Sequence, residues 1–400
     1  MRIAMIGQKG IPCTGGGIER NVEDLSVNIA ALGHDVIAYT RPHYTDPARI
    51  SYRGVTLVSL PSIHSKHLDA IVHTLICTFH AIIIQKVDII HYHGVGPGLC
   101  AFIPRILAPH IRVVGTFHSE DWKHQKWSWF ARLMLRMGAF MMAKCAHITI
   151  AISHAIQKRI ERTTGKQAVY VPYGVNVRAT TPSIRSLHPF GLNPRTPYIL
   201  VASRFVRHKG IHEAIRAFIR LKESVAPSSK LNALKLVLAG GGAFTDSYLR
   251  ELKRIAKGSK DIIFTGFQNG KTLDALFAHA ALFISPSITE GRSIALLEAL
   301  AWGTPVAVAD ITETREFMGS TDIKTRIGIR FRAHHLPSMI DAMRYAATRR
   351  SQARCMGQRG KDFVASHYEW KKVAKTIDDL YVRIATVPQQ QSNVAIATEY

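Results

Sequence analysis

With 400 residues, 47% of them hydrophobic and 20% charged, the chain is longer than one hydrophobic core usually organises, and its 17 prolines and 28 glycines exclude a disordered, collagenous or low-complexity polypeptide. Five cysteines, Cys13, Cys77, Cys100, Cys145 and Cys355, are odd in number and never in CxxC spacing, which excludes a disulfide scaffold or a cysteine zinc site and points to a reducing cytoplasm. The formal charge of +24 is spread as +11 over residues 1–190 and +13 over 191–400, so the expected partners are polyanions: nucleic acid, anionic headgroups or phosphorylated small molecules.

The opening Met-Arg-Ile-Ala-Met-Ile before Gly7 is too short for an export signal and reads as a buried strand. Strands are expected near Ile3–Gly7, Val36–Tyr39, Val55–Leu60, Ile89–His91, Val113–Phe117 and Ile148–Ile152, with helices over Glu19–Leu32, Leu68–Gln85 and Ser128–Ala143. The Leu68–Gln85 run is the most apolar, but Asp69, His73, Thr74, Thr78 and His80 interrupt it, short of the ~20 apolar residues a membrane span needs. The Pro- and Gly-bearing stretch Thr180–Pro197 reads as a linker. Beyond it strands are expected at Tyr198–Ala202, Leu236–Ala239, Ile262–Thr265, Leu282–Ser285, Pro305–Ala309 and Ile327–Phe331, with helices at Ile211–Ser224, Tyr248–Ile255, Lys271–Ala278 and Ile294–Trp302. After Ile329 the pattern turns helical to about Ala385, and 388–400 reads as a frayed tail. Two βα series predict an α/β chain of two doubly wound, Rossmann-like domains, residues 1–180 and 198–369, joined by linker 181–197.

Three motifs carry chemistry. In Gly7–Arg20 the run Gly15, Gly16, Gly17 lets backbone approach a ligand at a helix N-terminus; the alternative is a plain strand-to-helix turn, and the spacing is not GxGxxG. Arg204 and Lys209 follow the first strand of the second half, where two cations and a helix start suit a diphosphate, unless they are simply solvated. In Pro286–Pro305, Glu290 precedes a helix that is apolar on every side except at Glu298. A carboxylate inside such a helix needs a strong partner, either ligand hydroxyls or a basic neighbour; Glu290 could equally serve as a helix cap. A fourth segment, Trp122–Arg136, interleaves Trp127, Trp129 and Phe130 with Lys123, Lys126, Arg132 and Arg136. It reads either as an interfacial segment for anionic headgroups or as an ordinary helix with its aromatics in the core.

The pattern Arg204-x4-Lys209-Gly210, followed by Glu290-Gly-x5-Leu-Glu298-Ala-x-Ala-x-Gly303-x-Pro-Val, resembles the family-4 retaining glycosyltransferases of the GT-B fold, of the bacterial and archaeal polysaccharide-assembly type. The resemblance extends to the opening glycine loop, Leu32-Gly-His-Asp-Val36, Val171-Pro-Tyr-Gly-Val-Asn176 and Leu238-Ala-Gly-Gly-Gly242. It implies two Rossmann-like domains facing across a cleft: an acceptor-side first domain, rejoined by a C-terminal helix near 370–385, and a second domain that binds the nucleotide sugar. Arg204 and Lys209 would hold the donor diphosphate, and Glu298 the ribose hydroxyls. Glu290 would act as a catalytic carboxylate at the transferred sugar, with Gly291, Arg292 and Ser293 beside it. His118 would face the sugar as a second catalytic residue, and Gly15–Gly17 the diphosphate and acceptor. Arg292 and Ser119 depart from the residues usual there.

Breaking a glycosyl–phosphate bond puts negative charge on the departing diphosphate, which fixed cations and a helix terminus stabilise. No Asp-x-Asp occurs, so no metal and no cofactor are expected beyond the nucleotide-sugar donor. The expected activity is retaining transfer of a sugar from a nucleotide-diphosphate sugar to a saccharide or polyprenyl-linked acceptor in cell-surface polysaccharide assembly. The expected location is cytoplasmic, with the protein peripheral on an anionic membrane surface and binding no nucleic acid. The alternatives are a sugar-nucleotide epimerase or hydrolase on the same fold, or a non-catalytic polyanion binder.

Overall fold

The computed structural model describes residues 1–63, 69–120, 122, 128–226, 228–241, 246–290, 292–319, 322 and 324–386. Lys123, Lys126, Trp127 and Gly291, and the 388–400 tail, lie outside the described residues. The chain divides into two compact units: Met1–Gly174 with the segment from Trp370 onward, and Val175–Glu369.

The first unit runs β1 (Arg2–Ile6), α1 (Gly17–Ala31), β2 (Asp35–Thr40), β3 (Ser51–Tyr52), β4 (Val55–Ser59), α2 (Asp69–Ile83), β5 (Ile89–His93), α3 (Phe102–Leu107), β6 (Arg112–Phe117), α4 (Trp129–Cys145), β7 (Ile148–Ala151), α5 (His154–Thr164) and β8 (Val169–Tyr170). Its sheet has the order β3-β4-β2-β1-β5-β6-β7-β8, and only the β3–β4 pair is antiparallel. β1 is a near-continuous apolar run, and β5 is buried along its whole length although it carries His91 and His93, because a parallel sheet is covered on both faces. Between β1 and β5 the strand order reverses, and in open parallel sheets ligands bind at the carboxyl ends of such strands.

In the second unit come β9 (Tyr198–Ala202), α6 (Ile211–Glu223), β10 (Lys235–Ala239), α7 (Asp246–Ala256), β11 (Ile262–Gly266), α8 (Gly270–Ala278), β12 (Leu282–Ser285), α9 (Ile294–Ala301), β13 (Val306–Ala309), α10 (Thr312–Met318), β14 (Ile329–Phe331), α11 (Leu336–Thr348) and α12 (Arg350–His367). All its strand pairs are parallel, in the order β11-β10-β9-β12-β13-β14, with the reversal between β9 and β12. A core of Ile199, Val201, Phe218, Leu236, Leu238 and Ile284 fills the space between sheet and helices.

The last helix, α13 (Trp370–Thr386), belongs to the first unit. Trp370, Ile377, Leu380, Tyr381 and Ile384 are buried in that unit's core, each fully buried large side chain worth about 1.5–3 kcal/mol. Asp378 Oδ1 bonds His34 Nε2 at 2.7 Å and Tyr381 OH bonds His91 Nδ1 at 2.6 Å. The division between units falls after Gly174, and residues 181–197 are part of the second unit. Leu187 and Leu192 are buried there, and His279 Nε2 donates to the Pro182 carbonyl at 2.8 Å. Pro189 lies inside a 3-10 segment, Ile184–Phe190, that turns Leu187 inward while most of the stretch around it stays exposed.

Candidate active site

The second unit gathers the motif residues at the carboxyl ends of β9, β12 and β13. After β9 the chain makes a short 3-10 turn, Arg207–Lys209, and enters α6 through Gly210 at φ 66°. A Cβ on Gly210 would lie 2.4 Å from the Pro286 carbonyl oxygen, so only glycine allows the β9 and β12 loops to touch. Ile288 N donates to the His208 carbonyl at 3.1 Å and ties the same two loops. This stitching brings Lys209 Nζ to 2.5 Å from Glu290 Oε1, with both side chains nearly buried. A pair this sheltered holds each charge in place, and removing either partner leaves the other uncompensated. Arg204, at the same strand end, is exposed.

Beside Glu290 a shallow concavity open to solvent is lined by Ser285, Ser287, Glu290, Arg292, Ser293, Leu296, Glu313, Thr314 and Phe317. Ser293 caps α9, its Oγ accepting from Leu296 N at 3.3 Å, so the positive end of that helix faces the pocket. The Arg292 guanidinium lies over the rings of Phe317 at 5.2 Å and Tyr368 at 5.6 Å. Thr314 Oγ1 donates to the Ala309 carbonyl at 2.6 Å and accepts from Ile311 N at 3.0 Å, which fixes how the chain turns from β13 into α10. Cations, a helix N-terminus and carboxylates around one concavity suit a phosphorylated, hydroxyl-bearing ligand.

Not every expected residue joins this pocket. Glu298 lies in α9 and is half-buried rather than enclosed, because one side of the helix stays accessible. Glu313, Thr314 and Phe317 escaped sequence reasoning. Their signal was available, since Thr312–Glu313 lies two residues past the predicted strand 305–309, at the strand end where ligands bind.

His118 sits at the end of β6 in the first unit with 3% of its surface exposed. Its Nδ1 meets Tyr173 OH at 2.9 Å and its Nε2 meets His93 Nδ1 at 3.2 Å. The neighbouring His91 bonds Tyr381 OH and, at 2.7 Å, Thr116 Oγ1. Burial pushes His118 and His91 down to about 3 and His93 well below its ordinary value, so all three imidazoles are neutral. The role expected of His118 at a sugar therefore requires one of its two internal bonds to open. In the glycine loop, Gly16 has φ 108° and a Cβ there would lie 2.1 Å from Glu19 Oε2, while Glu23 accepts from Cys13 N at 2.5 Å and fixes the loop's base. Burial raises the Cys13 thiol to about 12, the opposite of the lowered values that mark reactive thiolates.

Helix α4 buries Gly138, Ala139, Met142 and Ala143 and leaves its aromatics outside the core. Trp129 is 76% exposed, and Phe130, Leu133, Met137 and Phe140 are also exposed, as is Arg136, with Arg132 half-buried. On α3, which packs on α4, Phe102, Ile106 and Leu107 are exposed too. No helix among the described residues is long and apolar enough to cross a membrane.

Comparison with known proteins assigns the two halves. Residues 15–179 match the family model described as Glycosyltransferase Family 4, and residues 185–363 match that described as Glycosyl transferases group 1. An uncharacterized glycosyltransferase of Methanocaldococcus jannaschii is 26% identical over 332 residues, 78% of this chain and 81% of that one. A glycogen synthase of Mycobacterium tuberculosis is 24% identical over 422 residues (96% and 94%). A GDP-mannose-dependent alpha-(1-6)-phosphatidylinositol monomannoside mannosyltransferase of the same organism is 26% identical over 309 residues (72% and 74%). Among solved structures, sucrose-phosphate synthase from Thermosynechococcus elongatus superposes with a TM-score of 0.78 at 21% identity, covering 96% of this chain and 98% of that one. Anabaena HepE in complex with UDP-glucose superposes with a TM-score of 0.77 at 15% identity (96% and 100%). Two parallel Rossmann-like units, each matched by its own glycosyltransferase family model, place the chain among the family-4 glycosyltransferases of the GT-B fold.

Proposed function

We propose that the protein moves a sugar, with retention, from a nucleotide-diphosphate sugar to a saccharide or lipid-linked saccharide acceptor in cell-surface polysaccharide assembly. The observation that carries this reading is the Lys209–Glu290 pair beside the pocket at the N-terminus of α9. Lys209 and Arg204 take the diphosphate as its negative charge grows, the ammonium exchanging a carboxylate oxygen for a phosphate oxygen. Glu290 then lies next to the sugar, where positive charge develops at the anomeric carbon, and Glu298 accepts from the ribose hydroxyls. The HepE neighbour binds UDP-glucose and the mycobacterial mannosyltransferase is named for GDP-mannose and a lipid acceptor; both support a nucleotide-sugar donor here. Donor consumption followed with and without acceptor tests the reading, together with the anomeric configuration of the product by NMR. Acceptor-dependent consumption with retention is expected. Consumption without acceptor would identify a hydrolase or epimerase, and no consumption a binding protein.

Turnover is expected to survive excess EDTA, because Lys209 and Arg204 supply the positive charge at the diphosphate and the sequence has no Asp-x-Asp. Loss with EDTA that Mg²⁺ or Mn²⁺ restores would contradict the cation-only clamp.

The exposed apolar residues of α3 and α4, flanked by Arg132 and Arg136 in a chain of charge +24, support docking on an anionic membrane surface. Sedimentation with vesicles should require anionic lipid and weaken as salt rises, since exposed charges are screened beyond about 8–10 Å. Arg132→Gln with Arg136→Gln should reduce it, and Trp129→Ala should remove the salt-resistant part. Equal binding to neutral and anionic vesicles, or none, would contradict it.

A further inference from the structure

We propose that the protein self-associates through α2, whose apolar outer stripe packs against the same stripe of a second copy. The helix is amphipathic in the reverse of the usual sense. Its buried residues are His73, Thr74, Cys77, Thr78 and Ala81. Leu75, Phe79 and Ile83, with Ile84 just beyond the helix, are 40%, 38%, 60% and 64% exposed. Half-buried Val72 continues the line, since residues recurring every three to four positions share one helix face. Hydrogen bonds to the sheet hold the polar side inward. His73 Nε2 donates to the Thr40 carbonyl at 3.1 Å, the Thr78 hydroxyl meets Tyr92 OH at 2.9 Å, and His80 Nδ1 meets Tyr39 OH at 3.0 Å. Rolling the helix over would leave those buried groups unmade, so the apolar stripe is fixed facing outward.

Charge selects the occupant. In a chain of +24, a surface patch brought against its own copy generally meets like charge. Two copies related by a twofold axis offer each other the same patch, so a patch that closes on itself must be free of such charge. Residues 69–85 contain no lysine or arginine, whereas α4 would set Arg132 and Arg136 against themselves. A helix lying in a lipid surface carries Lys and Arg on a solvent-facing polar side. The polar side of α2 is turned into the protein and has neither. Two such stripes in contact would cover on the order of 1,000 Å², at the low end for specific interfaces, which suits a reversible dimer. The pairing uses none of the α4 residues assigned to the membrane surface and does not depend on the glycosyl-transfer reading.

Sedimentation velocity of the full chain without detergent, over roughly a hundredfold range of micromolar concentration, tests the pairing. Wild type is expected to show a concentration-dependent equilibrium of monomer and dimer. Phe79→Gln with Ile83→Gln should raise the dissociation constant tenfold or more, and Trp129→Ala on α4 should leave it unchanged. Both α2 positions are exposed, so the double variant should unfold at the temperature of wild type diluted to monomer. A wild type that stays monomeric throughout, or a dimer that the α2 variant does not weaken, would overturn the proposal. So would a dimer that Trp129→Ala weakens equally, or a double variant less stable than the diluted monomer, which would give the stripe a role in the fold. The same proteins are sedimented with neutral phosphatidylcholine vesicles. Vesicle binding by a monomeric wild type that the α2 variant loses would assign the stripe to lipid and overturn the dimer.

Discussion

Lys209→Ala is expected to lower kcat/KM for the nucleotide sugar by about 10²–10³-fold, about 2–4 kcal/mol of transition-state stabilisation, because one preorganised charge on the departing diphosphate is removed. Arg204→Ala should act in the same direction by a smaller factor, since its guanidinium is exposed and partly screened. Lys209→Ala should also lower thermal stability, because Glu290 then remains charged in a nearly buried position without its ammonium. Adding Glu290→Gln should recover that stability and leave turnover low, whereas Glu290→Gln alone should lower kcat more than it changes donor affinity. Steady-state kinetics and thermal unfolding of the two single variants and the double variant form one cycle. Wild-type kcat/KM in Lys209→Ala would remove the residue from the diphosphate site.

Acidification from pH 7 to pH 5 should destabilise the first unit by on the order of 2 kcal/mol for each fully buried imidazole. His91 and His118 are held down to about 3, and His93 is also well below the ordinary 6.5, all by burial. Below pH 6.5 the unfolded chain binds protons at these positions and the folded chain does not. The stability they permit is therefore complete above about pH 6.5 and is lost progressively as pH falls toward 3. His73 and His147, lowered to about 4, act in the same sense. Because a domain's whole stability is about 5–15 kcal/mol, the melting temperature of this unit should fall steeply between pH 6.5 and 5. His93→Asn should flatten that slope by up to about 1.4 kcal/mol per pH unit. A melting temperature constant from pH 7 to 5 would contradict neutral burial of the cluster.

Most of the strands and helices that position the site were readable from hydrophobic pattern alone. Tyr198–Ala202 and Leu282–Ser285 match to the residue, because buried parallel strands are short apolar runs with sharp polar ends. Lys209 and Glu290 could each be placed at a strand's carboxyl end, but their direct contact could not. It depends on Gly210 admitting the Pro286 carbonyl, a non-local approach with no periodic trace. Glu313 carries no motif of its own, because a single carboxylate in a short helix looks like any first-turn acidic residue. The aromatics of α4 could have faced either the core or solvent. The packing that decides it is the small-residue face of Gly138 and Ala139, where a Cβ on Gly138 would lie 2.1 Å from the Val95 carbonyl oxygen. The histidine chain joins residues far apart in sequence, such as His91 with Tyr381, and no local motif announces it.

Donor binding measured directly tests the central claim, that the second unit's Lys209–Glu290 corner holds a nucleotide-diphosphate sugar. Calorimetric titration of the full chain with UDP-, GDP-, ADP- and dTDP-glucose or -mannose, in EDTA, should show saturable binding of at least one donor. Lys209→Ala should weaken that binding tenfold or more. No binding by any of these donors, or equal affinity in wild type and Lys209→Ala, would contradict the account.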